Sequence, residues 1–268
     1  MKTQILSIFT TAMISLVAAC GGEVESVDEY VVLGKADNGA PAAVQLVYAD
    51  SWTHSKYGMS SKERNFVVRV QNIAYHKDVV IHVETASGEW VDIAATYVSG
   101  AAGNTELWKA RVQSDGYGRK FVVKYTVKGV TYWDNNNGRD YEMGDADGPM
   151  LGVGVNVRMN QAFFTNYNSS ARSLRGTIDV RNLGYSKKVR VHYSTDGWQT
   201  EQTTDARYLG YMRIYGYSGV QNPNVHGIEG WTFETYVSGD KVDYYVTYEV
   251  DGQTHRDNNY GANYTLTN

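Results

Sequence analysis

The sequence contains one cysteine, Cys20, among 268 residues. No disulfide can form within the chain, so a small disulfide-stapled scaffold is excluded. Proline is scarce, at 3. Net charge is −4 and the isoelectric point is near 5.9. That leaves no positive surplus of the kind nucleic-acid binding needs, and too little charge of either sign to name an acidic or basic partner. The apolar run Ile5 to Val17 is too short to span a bilayer comfortably. No Ser/His/Asp arrangement, metal-ligand cluster or phosphate-binding loop stands out. A glycosidase needs two carboxylates roughly 5–10 Å apart across the sugar. The acids that recur, Asp134 and Asp257, sit in a turn motif with no obvious partner. These gaps argue against an enzyme, a metal or a cofactor.

What the chain has instead is tyrosine, glycine and repetition. Tyr numbers 22 and Gly 27. With Val and Thr they favour strands joined by tight turns. The stretch Tyr132 to Tyr141 (YWDNNNGRDY) is rewritten as His255 to Tyr264 (HRDNNYGANY), 123 residues later. The shared core reads D-N-N-x-G-x-x-Y. Three amides or acids in a row do not suit a core. They cap turns through Asx hydrogen bonds, and spare amides can make paired contacts with sugar hydroxyls. Upstream, N-x-x-Y-x-K-x-V runs from Asn72 to Val79 and again from Asn182 to Val189. Between the two blocks lies a turn carrying a tryptophan, Trp90 after Ser87-Gly88-Glu89 and Trp198 after Asp196-Gly197.

Repetition divides the chain into residues 44–141 and 155–268, joined by residues 142–154. In the first repeat, alternation predicts strands from Val44 to Tyr48, Phe66 to Val70, Val79 to Glu84, Ala95 to Tyr97, Leu107 to Val112 and Phe121 to Val127. Lys128-Gly129 signals a hairpin, and Ser51 to Arg64 reads as polar loop. Short antiparallel strands at this spacing predict an all-β sandwich in each half. The first repeat holds a complete set of strands and both motifs, so it is expected to fold alone. Glu142 to Pro149 reads as a solvated linker, because Asp145 and Asp147 lack the remaining positions of a calcium loop. The second repeat carries a longer insertion, Gly210 to Gly230, expected in a surface loop. Trp108, Trp231, Tyr125 and Tyr248 are expected in the cores. His82 and His192 fall on the outward strand face as solvated side chains. Asp134 and Asp257 are expected to hold their turns.

The two ordered blocks with a Trp turn between them, present twice, resemble carbohydrate-binding module family 21. That family includes starch-binding domains of some fungal glucoamylases and glycogen-targeting domains of protein phosphatase 1 regulatory subunits. The resemblance covers residues 44–141 and about 155–264. It implies two tandem immunoglobulin-like antiparallel β-sandwiches that bind α-glucan without catalysis. For one sugar site it implies the turn tryptophans Trp90 and Trp198, Trp133 before the first motif's Asp, Tyr245 on the strand before the second, and the amides Asn135 and Asn258. The first copy has Val122 where the second has Tyr245, and the second has Arg256 where the first has Trp133. Each copy thus keeps two of three aromatics. For a second site the resemblance implies Tyr75 with Tyr97 and Tyr185 with Tyr208, with Lys77 and Lys187 adding hydrogen bonds. The phosphatase-docking pattern, a basic residue followed by Val-x-Phe, is absent. Sugar rings present apolar C–H faces that pack flat on aromatics, at about 25 cal/mol per Å² removed from water. A rival of another class is an adhesion or scaffold protein that kept the sandwich and lost the sugar. Exposure of Trp90 and Trp133 discriminates the two.

The N-terminal segment, residues 1–19, reads as a targeting segment. Val17-Ala18-Ala19-Cys20 resembles a bacterial lipobox, with Cys20 as the lipidated residue. Residues 20–43 then form a tether. The expected location is the bacterial envelope, lipid-anchored, at the outer membrane or cell surface rather than the inner membrane. A partner amylase or transporter is not named by the sequence.

Overall fold

A computed structural model describes residues 42–113, 115–166, 172–212 and 219–267. Cys20, the targeting segment and the tether up to residue 41 lie outside the described residues. The first half contributes β1 (Val44–Lys56), β2 (Met59–Gln71), β3 (Lys77–Thr85), β4 (Trp90–Ala94), β5 (Thr96–Ala101), β6 (Thr105–Gln113), β7 (Tyr117–Val127), β8 (Val130–Asp134), β9 (Tyr141–Glu142) and β10 (Gly148–Leu151). The second contributes β11 (Val157–Asn166), β12 (Arg172–Arg181), β13 (Lys187–Ser194), β14 (Gln202–Asp205), β15 (Arg207–Tyr208) and β16 (Tyr211–Met212). It continues with β17 (Val220–Gln221), β18 (Ile228–Val237), β19 (Lys241–Val250), β20 (Gln253–Asp257) and β21 (Tyr264–Thr267).

Each half is a sandwich of two antiparallel sheets. The first packs β10-β1-β2-β6-β5 against β4-β3-β7-β8, with β9 also on β7. The second packs β11-β12-β18-β15 against β14-β13-β19-β20, with β21 also on β19. The all-β reading holds, and the reason is visible in β3 and β13. Val79, Ile81 and Val83, like Val189 and Val191, alternate inward and are almost fully buried. Burying each such side chain contributes roughly 1.5–3 kcal/mol. Tyr125 and Tyr248 are the largest fully buried side chains of the two cores. Their hydroxyls donate to Gln71 O (2.7 Å) and Arg181 O (2.8 Å), which satisfies the polar tips. Trp108 and Trp231 are half-buried against the same cores.

The D-N-N motif staples the two sheets. At the end of β8, Asp134 Oδ2 accepts from Leu46 N on β1 at 2.6 Å, and the Tyr141 hydroxyl donates to the same carboxylate at 3.0 Å. Asp257 does the same from β20, accepting from Met159 N on β11 (2.6 Å) and the Tyr264 hydroxyl (2.7 Å). Both backbone donors sit where β1 and β11 shift register, between Leu46 and Tyr48 and between Met159 and Gln161. A bulge leaves an amide without a ladder partner, and the Asp supplies one. Burial pushes the Asp134 carboxyl up, and its hydrogen bonds pull it down. The reading of these acids as turn-holders is therefore the structural one.

Three expectations are corrected. Ser51 to Arg64 is not a loop: β1 and β2 run on as a long hairpin closed by Tyr57-Gly58, both at positive φ (52° and 78°). Its polar residues hid the strands, yet Trp52 is buried against Met212 and Val220 of the second half. The Gly210 to Gly230 insertion is accordingly a contact between halves rather than a free surface loop where it is described. Residues 142–154 are not a solvated linker either. Met143, Met150 and Leu151 are buried, and β10 pairs with β1, so residues beyond 141 complete the first sheet. Asp145 pairs with Lys62 (2.8 Å) and Arg64 (3.2 Å), and Asp147 accepts from Gly144 N (2.6 Å). Asn224 of the insertion clamps the segment, donating to Pro149 O (2.6 Å) and Asp147 O (2.9 Å). At Gly152 the chain crosses β1 so closely that a Cβ would lie 1.7 Å from Leu46 O. The halves share a further apolar cluster, with Tyr48 and Val67 from one and Ile228 from the other.

Candidate functional site

On the outer face of β3, His82 stands opposite Val122 of β7. Val122 has no ring, and Trp90, the first residue of β4, stacks on the imidazole instead, at 5.0 Å and 20°. Trp133 of β8 meets the same imidazole edge-on, at 5.6 Å and 71°. Asp92 fixes the histidine: its Oδ1 lies 2.6 Å from His82 Nδ1, and its Oδ2 lies 3.3 Å from Lys124 Nζ. Lys124 lies 5.6 Å from the centre of the Trp133 ring. The result is a surface platform of two indoles around one imidazole, with Trp90 37% exposed and Trp133 half-buried. Asn135 follows directly. Its Oδ1 accepts from Gly138 N at 2.9 Å, and its amide Nδ2 has no hydrogen bond among the described residues. The reading of His82 as merely solvated is corrected: it is the centre of the platform.

The equivalent face of the second half is built differently. His192 stands opposite Tyr245 of β19 and stacks on it at 4.5 Å and 6°. Arg256 on β20, in the place of Trp133, lies 3.8 Å over the same tyrosine ring. Since β19 runs between β13 and β20, Tyr245 is covered from both neighbouring strands and is only 9% exposed. Trp198 tilts onto it at 5.6 Å and 33°. Glu201 locks the group, accepting at His192 Nδ1 (2.8 Å) and from the Tyr245 hydroxyl (3.2 Å). The hydrogen bond to His192 holds the Glu201 carboxyl below its usual range. Trp198 itself is at φ 68°, held by Ser194 Oγ accepting from its N–H at 2.9 Å. Asn258 repeats the Asn135 bond, with Oδ1 accepting from Gly261 N at 3.0 Å. The second-copy aromatics are brought together, but Tyr245 is covered by His192, Trp198 and Arg256, while Trp198 itself is half-buried, as Trp133 is.

The other aromatic set lies around the N-x-x-Y-x-K loops. Tyr75 and Tyr185 are fully exposed, at 91% and 102%, and Tyr97 and Tyr208 are exposed on the edge strands β5 and β15. Tyr97 packs edge-on against Trp108, and Tyr208 against Trp231, each at 5.8 Å. Behind them runs a relay that the sequence did not disclose. Trp108 Nε1 donates to Glu106 (3.0 Å), which pairs with Lys77 (2.8 Å). Trp231 Nε1 donates to Glu229 (3.2 Å), which pairs with Lys187 (2.9 Å). These lysines lie deeper than a surface hydrogen-bonding role expects: their side chains are only 3% and 8% exposed, and each ammonium group pairs with a carboxylate. Lys77 also donates to Asn72 Oδ1 at 2.7 Å, which ties the loop carrying Tyr75 to the strand below Tyr97.

This geometry, written twice, accords with the comparison to known proteins. The family described as Carbohydrate/starch-binding module (family 21) matches residues 57–144 and 154–267. The chain belongs to carbohydrate-binding module family 21. Its relatives in that family include glucoamylase 1 of Rhizopus oryzae, 36% identical over 103 residues, which is 38% of this chain and 15% of the glucoamylase. Protein phosphatase 1 regulatory subunit 3C of Bos taurus is 28% identical over 114 residues, 40% of this chain and 32% of the subunit. The chain thus matches less than a third of either relative's length. Among solved structures, the starch-binding domain of the Rhizopus oryzae glucoamylase, in complex with β-cyclodextrin and maltoheptaose, is 33% identical. It covers 39% of this chain and 95% of that domain, with a TM-score of 0.32. Against the family-21 pattern, what sequence reading missed was His82 and His192. Their strand alternation placed them outward, but nothing in one sequence marks an outward histidine as a stacking surface.

Proposed function

We propose that this chain is a non-catalytic binder of α-glucan of the starch and glycogen type, with the first module as its main contact. The observation that carries the reading is the Trp90–His82–Trp133 platform at the surface. Two indole faces about one fixed imidazole suit the apolar face of adjacent sugar rings, with the Asn135 amide beside them for hydroxyls. Of the two tryptophans that discriminate binding from scaffold, Trp90 is exposed and Trp133 half-buried, so neither is buried as the scaffold alternative expects. The exposed tyrosines Tyr75 and Tyr97, and Tyr185 and Tyr208, are proposed as auxiliary contacts along a polymer. Anchoring at Cys20 in a bacterial envelope would place both modules at a surface. Affinity electrophoresis through a panel of soluble polysaccharides tests the function. Retardation by starch and glycogen, but not by cellulose derivatives, is expected, and equal mobility in all gels would refute it. For the anchor, Cys20→Ser should release the protein from the membrane fraction.

A further inference from the structure

The imidazole at the centre of the first platform has one nitrogen committed and one open. Asp92 of β4 stands directly across from His82, and its Oδ1 lies 2.6 Å from Nδ1. A carboxylate only accepts, so Nδ1 carries the proton, and in the neutral ring Nε2 holds a lone pair. Nε2 makes no hydrogen bond among the described residues, and it is not buried. The side chain is 26% exposed. His82 thus offers an unspent acceptor beside two indoles, with Trp90 on its ring face and Trp133 edge-on.

The second module has the same ring with nothing left over. Glu201 takes His192 Nδ1 at 2.8 Å, as Asp92 does in the first, and Thr247 Oγ1 meets Nε2 at 3.0 Å. The His192 side chain is 14% exposed. Thr247 lies two residues beyond Tyr245, the cross-strand neighbour of His192. Two residues beyond Val122, the cross-strand neighbour of His82, the first module has Lys124. An ammonium can also donate, but Lys124 turns to Asp92 Oδ2 at 3.3 Å and to the Trp133 ring. One difference, Lys124 against Thr247, leaves the histidine's second nitrogen open in one module and closed in the other.

An open nitrogen in a stacking surface has an energetic consequence. A ligand that covers the platform strips water from Nε2, and without a donor of its own it leaves the lone pair unmet at a cost. Stacking on the indoles is non-directional and fixes neither the identity nor the rotation of the ring above them. A hydroxyl placed at Nε2 fixes both, and a site built to bond a hydroxyl rejects a ligand that lacks it. We propose that His82 Nε2 accepts a hydrogen bond from a hydroxyl of the bound glucan, so that this histidine selects the sugar ring that the indoles only hold. The contact rests on the α-glucan reading of the platform.

The test is isothermal titration of the full chain with maltoheptaose, with circular dichroism as the check on folding. His82→Phe keeps a flat ring and loses Nε2, and affinity should fall about five- to tenfold. His192→Phe is the matched control and should change it by about twofold or less, since that nitrogen is already spent. Lys124→Thr leaves His82 and both indoles in place and supplies the hydroxyl that closes Nε2 in the second module. It should weaken binding by a similar factor, and it serves alone if His82→Phe does not fold. In the Lys124→Thr background His82→Phe should cost little more, because both changes remove one contact. No binding by the wild type would sink the glucan reading and this contact with it. With the wild type binding, three results overturn the contact alone and leave the platform standing: a folded His82→Phe or Lys124→Thr protein that binds as the wild type does, an equal loss from His192→Phe, or losses that simply add in the double variant.

Discussion

The two modules share their scaffold and differ in the finish of one face. In the first, Val122 leaves His82 open to Trp90, and Trp133 borders the platform. In the second, Tyr245 takes the space beside His192, and Arg256 covers it from the next strand. Two exchanged positions on paired strands turn an open aromatic surface into a self-satisfied stack. Counting aromatics by position makes the modules equal, with two of three each. Their packing makes them unequal, because a ring already sandwiched by an imidazole and a guanidinium has little apolar area left to offer a sugar.

If that comparison is right, what the modules share should break alike. Asp134→Ala and Asp257→Ala each leave a backbone N–H at a bulge without its acceptor. Each should cost about 2–4 kcal/mol, one to three for the orphaned donor and the rest for lost packing of the paired tyrosine. Chemical denaturation with tryptophan fluorescence measures this, and a large difference between the two would show the staples are not equivalent.

What the modules do not share should break unequally. Trp90→Ala removes an open ring worth roughly 1.5–2 kcal/mol, so insoluble-starch pulldown should weaken by about 10–30-fold with circular dichroism unchanged. Trp198→Ala should weaken it by about twofold or less. Arg256→Ala should uncover Tyr245. In a Trp90→Ala background it should restore binding by roughly threefold, since about 0.6 kcal/mol of ring face is regained. A further loss on removing Arg256 would mean that the guanidinium contacts sugar rather than covering the ring.

The smallest effect concerns the turn that presents Trp198. Hydrogen bonds from Ser194 and Thr200 hold the Asp196 carboxyl down at about 2, against 3.8 for an ordinary Asp. A folded pKa below the unfolded one stabilises the turn above about pH 4, and that gain is lost as pH falls from 4 toward 2. Tryptophan emission in the second module should shift over that window in the wild type and not in Asp196→Asn.

Much of this was legible because it is local. Alternation in β3, β7, β13 and β19 announced the cores, and the D-N-N turn announced its own Asx bonds. Even the loss of Trp133 to Arg256 could be read in the second copy. The consequence could not, because it depends on strand order: Arg256 reaches Tyr245 only because β20 lies beside β19. The buried Lys77–Glu106 and Lys187–Glu229 pairs were hidden for the same reason, each joining strands of different sheets. Likewise, the polar β1–β2 hairpin looks like loop until Trp52 is seen against Met212 and Val220 of the other module.

The central claim is that the open first-module platform, not its capped counterpart, holds the glucan. A crystal structure of the full chain soaked with maltoheptaose tests it most directly. The account predicts glucose rings stacked over Trp90 and Trp133, with Arg256 still over Tyr245. Glucose rings stacked on Tyr245, with the Trp90 platform empty, would contradict it.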